Sequence, residues 1–239
     1  MKPLEVLPIE TAVFPIQGNL AEFCVRHVPE SQVRERMILA VTSKIVSLAE
    51  NRLVPKSEIT KAALVEREAD VFLGEVGYGC FLTVKEGLFI PSSGIDESNS
   101  ESGDFILYPA DPYASAEKLW RELRERWKLR ELGILLTDSH TSPLRKGVTG
   151  ICLSHWGFQA VKNMVGTKDL FGRELIMTKM NLADGLSSAA VLMMGEGSER
   201  RPLAVIHGAD CEFRESVDRE ELRMPLADDL YYPFLAKHL

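Results

Sequence analysis

Apolar residues fall along this chain in short runs, interrupted by stretches with helical spacing. Met37 to Val46 reads MILAVTSKIV, the composition of a buried strand that ends in Thr42-Ser43-Lys44. Phe81-Leu82-Thr83-Val84 and Leu88-Phe89-Ile90 flank Lys85-Glu86-Gly87, which predicts a hairpin with a tight turn. Residues 105–108, 132–136 and 203–206 read as further strands. Ala116, Leu119, Trp120, Leu123 and Trp127 recur at the helical period after Ser115, a natural N-cap. Arg121, Glu122, Arg124 and Glu125 form the solvated face of that helix. A second helix opens near Asp184, runs through Leu186, Ala189, Ala190, Leu192 and Met193, and stops at Gly195. A third, Leu20 to His27, starts after Gly18 or Asn19 and is ended by Pro29. Strands and helices do not alternate strictly. The expected fold is therefore α+β, with mixed, largely antiparallel sheets and packed helices, rather than a doubly wound sheet.

The chain carries no internal repeat and no low-complexity tract. Ser98-Asn99-Ser100-Glu101-Ser102-Gly103 is loop-like but too short for a domain linker, and residues 214–226 read as a charged loop or frayed helix. Residues 1–239 are read as one unit with room for two lobes, and residues 211–239 as a C-terminal tail. At 239 residues, burial of about 70% of the unfolded surface is expected, enough for a core without staples. The balance of 28 basic against 35 acidic residues argues against a nucleic-acid partner, which would favour excess Lys and Arg. No apolar run is long enough for a membrane span, and Met1 to Val6 lacks the apolar region of a signal peptide. Cys24, Cys80, Cys152 and Cys211 are far apart and form no CxxC pair, which reads as reduced thiols in a cytoplasmic protein.

Three segments place an acid at the end of an apolar element. In the first, Leu135-Leu136 leads into Asp138 and then into Ser139-His140-Thr141-Ser142-Pro143-Leu144-Arg145-Lys146. Asp138 and the Ser139 hydroxyl offer hard oxygens to Mg²⁺ or Mn²⁺, and Arg145 or Lys146 can hold a carboxylate or phosphate. An ordinary Asx turn is an equal alternative for this segment alone. In the second, Ile90-Pro91-Ser92-Ser93-Gly94-Ile95 leads to Asp96, with Asn99 three positions on; a plain turn explains it nearly as well. In the third, Gly195 and Gly197 bracket Glu196, so backbone N–H groups can approach an anion; a helix C-cap is the simpler alternative. Together, Asp96, Asp138 and Glu196 are the set that one or two divalent cations and a nucleotide phosphate require. No GxxxxGK[ST], GxGxxG, GxSxG or HExxH motif occurs. His27 and His238 read as surface residues, His155 and His207 as structural ones, and a Ser139–His140 hydrolase pair is a weak third reading.

Five ordered motifs resemble the coenzyme F420-0:L-glutamate ligase family, most closely its folate-type γ-glutamate ligase branch. They are Val41-Thr42-Ser43-Lys44-Ile45-Val46-Ser47, Ser93-Gly94-Ile95-Asp96-Glu97-Ser98-Asn99, Thr137 to Arg145, Lys168-Asp169-Leu170-Phe171-Gly172-Arg173-Glu174-Leu175, and Ala183-Asp184 through Met194-Gly195-Glu196-Gly197. The resemblance spans residues 5–210. It implies an α+β fold in an intertwined homodimer. It also implies ATP or GTP, two Mg²⁺ or Mn²⁺ ions and an accompanying K⁺. By resemblance, Asp96, Asp138, Ser139 and Glu196 are metal ligands. Ser43, Lys44, Asn99, Met194, Gly195 and Gly197 are nucleotide contacts, with Ala12-Val13-Phe14 a looser addition. Arg145 and Arg173 are candidates for gripping substrate carboxylates or the phosphoryl group.

Two departures bear on the acceptor. The deazaflavin enzymes commonly carry a second Lys four residues after the one matching Lys44, where this chain has Leu48. They tend to a Gly-Arg turn where it has His140 to Arg145. The expected reaction is γ-glutamyl ligation of L-glutamate to a carboxylate acceptor through an acyl phosphate. A folate-type acceptor is expected first and a deazaflavin second. A non-catalytic metal–nucleotide sensor is the competing class; a sensor has no need of all three acids and Ser139.

Overall fold

The computed structural model describes residues 3–100 and 102–237. Met1, Lys2, Glu101 and His238, which enter the readings above, lie outside them. The chain order is β1 (Glu5–Ile9), α1 (Leu20–His27), β2 (Met37–Thr42), α2 (Ser43–Ala49), β3 (Leu53–Val54), α3 (Lys61–Glu68), β4 (Val71–Gly77), β5 (Cys80–Lys85), β6 (Leu88–Pro91) and β7 (Phe105–Ile106). It continues with α4 (Pro112–Trp127), β8 (Leu132–Thr141), β9 (Val148–Trp156), β10 (Val161–Asn163), β11 (Lys179–Asn181), α5 (Leu182–Met194), β12 (Leu203–His207) and α6 (Tyr232–Leu235). A five-stranded sheet has the order β1-β12-β2-β8-β9, and a three-stranded one the order β4-β5-β6. Only the β2–β8 pair of the larger sheet is parallel. The fold is α+β and largely antiparallel, as expected.

The central sheet is covered on both faces, which is why β2 reads as an unbroken apolar run. Met37, Leu39 and Val41 face α1, α2 and α4, while Ile38 and Ala40 face α5. A smaller cluster of Leu64, Val65, Ile95, Phe105 and Leu107 lies beyond it. β9 meets α5 very closely at Gly150: a Cβ there would stand 2.3 Å from the Ser187 carbonyl oxygen.

Several local expectations need correction. The β2 strand ends at Thr42, and Ser43 and Lys44 open α2 instead of finishing a strand. Helix α4 starts earlier than Ser115, because Asp111 accepts from the Ala114 N–H and Pro112 fills the first turn. Ser115 lies inside the helix and bonds the Glu50 carboxylate. Asn181, not Asp184, caps α5, and Asp184 accepts from the Cys152 N–H. The stretch after Asp138 stays extended to Thr141, pairing with β9, so the loop is only 142–147. Residues 105–108 form a strand over two residues only. The hairpin is as read, with Glu86 and Gly87 both at positive φ and Lys85 paired with Leu88. All four cysteines are free thiols. Among the described residues, no helix is long and apolar enough to cross a membrane.

His155, on β9, is fully buried between the rings of Tyr113 and Phe158. Its Nε2 lies 3.4 Å from Glu221 Oε2, and neither ring nitrogen makes a well-formed hydrogen bond. Burial holds its pKa below the usual histidine range, against the opposing pull of Glu221, while Arg214 adds to the depression. The native state therefore prefers neutral imidazole, whereas the unfolded chain protonates near pH 6.5. This contribution is present above about pH 6.5 and lost as the pH falls through the depressed native value. Melting temperatures measured from pH 8 to 5 are expected to drop on acidification. The drop is expected to be shallower in His155→Phe; parallel curves would exclude His155 as the cause.

Candidate active site

Strand register gathers four distant segments at one end of the central sheet. Ile9, Leu203, Val41 and Leu136 stand side by side in one row. β1, β2 and β8 run toward that end, and β12 starts from it. Residues 10–16, Lys44, Asp138-Ser139 and residues 195–202 therefore emerge together. Backbone bonds lash them: Thr11 N–H donates to the Arg200 carbonyl at 2.9 Å, and Thr42 N–H to that of Pro202 at 3.0 Å. The carboxyl ends of adjacent parallel strands, here β2 and β8, are a recurrent place for ligands. Between Leu136 and Thr137 the pairing with β9 shifts register, with Leu153 as the extra residue, just before Asp138. Asp96 follows the Ser92–Gly94 turn after β6, fixed by two 2.9 Å backbone bonds with Ile106.

These segments enclose a groove of about 890 Å³. Asp96, Asp138, Ser139 and Glu196 all line it, as do Ala12, Val13, Phe14, Lys44, Asn99, Met194, Gly195 and Gly197. Ile16, Ile45 and Leu48 add apolar wall. Ser43 is buried beside Lys44 and is not part of the lining. Arg145 is exposed on the 142–147 loop, and Arg173 pairs with Asp169 at 2.9 Å; neither lines the groove. As candidates for holding a substrate carboxylate or the phosphoryl group, they stand outside the lining of this groove. Arg200 and Arg201 line the groove, and the only sequence signal for them is their adjacency to Gly197. Ser139 and His140 are neighbours on an extended strand, so their side chains point to opposite faces and form no dyad. His140 Nδ1 bonds the Thr149 carbonyl oxygen, 3.1 Å away. His27 is not simply surface: it accepts from the Ala12 N–H at 3.3 Å, tying α1 to the groove wall. His207 is buried, bonded to Arg34 and Gln32.

The acids share one field. Lys44 Nζ lies 2.6 Å from Asp96 Oδ2 and 3.0 Å from Ser98 Oγ. Burial raises the Asp96 pKa, but Lys44 and the Ser98 N–H outweigh it and hold the carboxyl below its ordinary range. Asp138 sits at the groove floor, where burial pushes its carboxyl up to about 6. Hydrogen bonds from Tyr108 and the Ser139 N–H oppose that rise; the Asp96 charge reinforces it, and Lys44 opposes it. Glu196 at the rim is also raised, by partial burial first, with Ser139 and Lys44 pulling back and Asp96 and Glu199 adding to it. Gly197 N–H donates to the Glu199 carboxylate at 2.8 Å, so this turn already holds an oxyanion.

Among the described residues, no three His, Cys, Asp or Glu side chains are closed together as a metal cage. Lys44 stands among the carboxylates as their counter-charge. The donors nevertheless suit Mg²⁺ or Mn²⁺: three carboxylates and a hydroxyl, all hard oxygens on one groove. Burial is what raises Asp138 and Glu196, and a nearby divalent cation would favour their charged forms. The residues present fit the ion chemically.

Similarity to known proteins defines the class. A family model described as F420-0:gamma-glutamyl ligase matches residues 9–208. The coenzyme F420:L-glutamate ligase of Methanopyrus kandleri is 33% identical, with 86% of each chain covered. That of Methanocaldococcus jannaschii is 31% identical, covering 96% of this chain and 97% of the relative. That of Archaeoglobus fulgidus is 33% identical, covering 86% and 88%. The protein is an enzyme of the amide-bond-forming ligase class, joining an acid to an amino acid. The chain belongs to the F420-0:gamma-glutamyl ligase family.

Proposed function

We propose that this enzyme uses ATP or GTP to join L-glutamate to a carboxylate acceptor of the deazaflavin F420-0 type. The observation that carries the reading is the convergence of Asp96, Asp138, Ser139, Glu196, Lys44 and the Gly195–Gly197 turn on one groove. The relatives are named for coenzyme F420 and L-glutamate over nearly their whole lengths, which favours the deazaflavin acceptor over the folate type expected first. Leu48 and the 142–147 loop keep the folate-type acceptor as the second reading.

In the proposed reaction an acceptor carboxylate oxygen bonds to the γ-phosphorus as the bond to the β-phosphate oxygen breaks. Nucleoside diphosphate leaves. The glutamate amine then attacks the acyl carbon of the acyl phosphate, phosphate departs with the bonding pair, and the amine loses a proton. Both reacting partners are anionic in the first step, so placement and charge compensation dominate. Asp96, Asp138, Ser139 and Glu196 would hold two Mg²⁺ or Mn²⁺ ions, which when bound neutralise charge on the phosphates. Lys44 faces the same oxygens, and the Gly197 N–H offers a donor to a phosphate in place of Glu199. A K⁺ ion, a homodimer and a cytoplasmic location complete the proposal. The exposed apolar side chains Leu170, Phe171, Ile176 and Met177 on one segment support a second copy as partner.

An acceptor panel tests it. Purified protein with glutamate, Mg²⁺, nucleotide and either F420-0 or a reduced folate is read by mass spectrometry. F420-0 gaining one glutamate is expected. Extension of folate alone would overturn the acceptor, and tight nucleotide binding without phosphate release for every acceptor would favour a sensor.

A further inference from the structure

We infer that Tyr108 is a positioning residue for Asp138, and that the strained turn Ser92–Gly94 exists to seat it. This inference rests on the proposed role of Asp138 in holding a cation. Tyr108 Oη donates to Asp138 Oδ2 at 2.5 Å from a ring that is almost wholly buried. A carboxylate's last torsion is broad and two-fold, so an unrestrained Asp138 would swivel. The tyrosine bond occupies Oδ2 and, with the Ser139 N–H, fixes the plane of a carboxylate that lines the groove.

The tyrosine is itself held from three sides. Its ring packs with Ile90 and Leu153, the latter being the residue that β9 carries in excess opposite Thr137. Its third support is Gly94, where a Cβ would stand 2.1 Å from the ring's Cζ. No side chain other than hydrogen leaves room for the ring. Gly94 ends a run of three left-handed residues, with φ of 53° at Ser92, 54° at Ser93 and 68° at Gly94. Two consecutive serines in that region are sterically costly and persist only where the surroundings impose them. Here buried hydroxyls impose them. Ser93 N–H donates to Thr83 Oγ1 at 2.9 Å, Ser93 Oγ to the Val65 carbonyl at 3.1 Å, and Phe81 N–H to Ser92 Oγ at 3.3 Å. The same turn delivers Asp96 two residues later. One strained element thus sets both acids, Asp96 through the chain and Asp138 through Tyr108.

Partners that orient a metal-binding side chain commonly cost 10–100-fold in metal affinity when removed. Tyr108→Phe keeps the ring and deletes the bond. Mn²⁺ binding, followed as free-ion EPR signal, is compared in the native protein, Asp138→Asn and Tyr108→Phe, with melting temperature as the fold control. The expected result is strong loss in Asp138→Asn and about 10–100-fold weaker binding in Tyr108→Phe at unchanged melting temperature. A merely structural tyrosine would leave the Mn²⁺ affinity alone. Native-like binding by Tyr108→Phe with loss in Asp138→Asn overturns the tyrosine's role and leaves the site reading standing. Native-like binding by Asp138→Asn, or none by the native protein, removes the site reading and this inference with it. Should Tyr108→Phe not fold, 3-fluorotyrosine placed at position 108 reads the same contact. Its ¹⁹F resonance is expected to move on Mg²⁺ addition, and an unmoved resonance in Mg²⁺-bound protein overturns the inference.

Discussion

Asp138→Asn is expected to lower nucleotide turnover by about 10³-fold, since a bound cation's charge stabilisation is worth several kcal/mol and each ~1.4 kcal/mol is tenfold. The substitution is isosteric, and the amide oxygen can still accept from Tyr108 Oη. The fold should survive, because Asp138 contributes no ion pair to the core and its burial already disfavours the charged form. Neutralising it relieves that cost, so the melting temperature of the metal-free variant is expected to stay level or rise. Phosphate release under saturating Mg²⁺ gives the rate, and calorimetry gives the melt. Turnover within a few-fold of the native rate would remove Asp138 from the machinery. Turnover lost together with the fold would make its role structural.

Lys44→Met separates two functions of one cation. Its ammonium neutralises Asp96 at 2.6 Å and also acts on Asp138 and Glu196 through the field. It therefore competes with a metal ion for Asp96 while offering a donor to phosphate oxygens. Charge-assisted hydrogen bonds contribute roughly 1.5–3 kcal/mol, so the KM for nucleoside triphosphate is expected to rise about 10–100-fold. Mn²⁺ affinity without nucleotide should move the other way, because the competing cation is gone. Titration calorimetry reads both constants on the same sample. Weakening of both by the same factor would mean that Lys44 only holds the groove's shape.

The legible parts of this molecule are those written in local chemistry. Helix α1 falls where Asn19 and Pro29 put it, because an N-cap and a helix breaker act within a turn of their own position. Gly195 ends α5 for the same reason. The start of α4 is ambiguous in the sequence because Ser115 competes with Asp111, and only the Asp-Pro pair at its first turn discriminates them. The parallel pairing of β2 with β8 joins residues 95 positions apart, as in Met37 with Leu132. It follows from packing on both faces, and no periodicity announces it. That pairing builds the site, so Lys44 and Asp138 were nameable as candidates while their adjacency was not. The ends of apolar elements mark the three acids, the family motifs give them a shared role, and the register explains why they meet. Charge and loop position point to Arg145 and a family motif to Arg173, yet whether such a residue lines the groove is not encoded by composition. Tyr108 carries no signal in the sequence: a tyrosine just past a short strand is ordinary, and only the Gly94 turn and the Leu153 bulge that hold it set it apart.

The central claim is that carboxylates from separate segments grip cations that in turn hold a triphosphate. Crystals grown with Mn²⁺ and a non-hydrolysable nucleoside triphosphate, measured at the manganese absorption edge, test it directly. The account predicts one or two anomalous peaks in the groove, roughly 3.5–4 Å apart if two, coordinated by Asp96, Asp138, Ser139 and Glu196. Nucleotide bound in the groove with no manganese peak beside those side chains would contradict it.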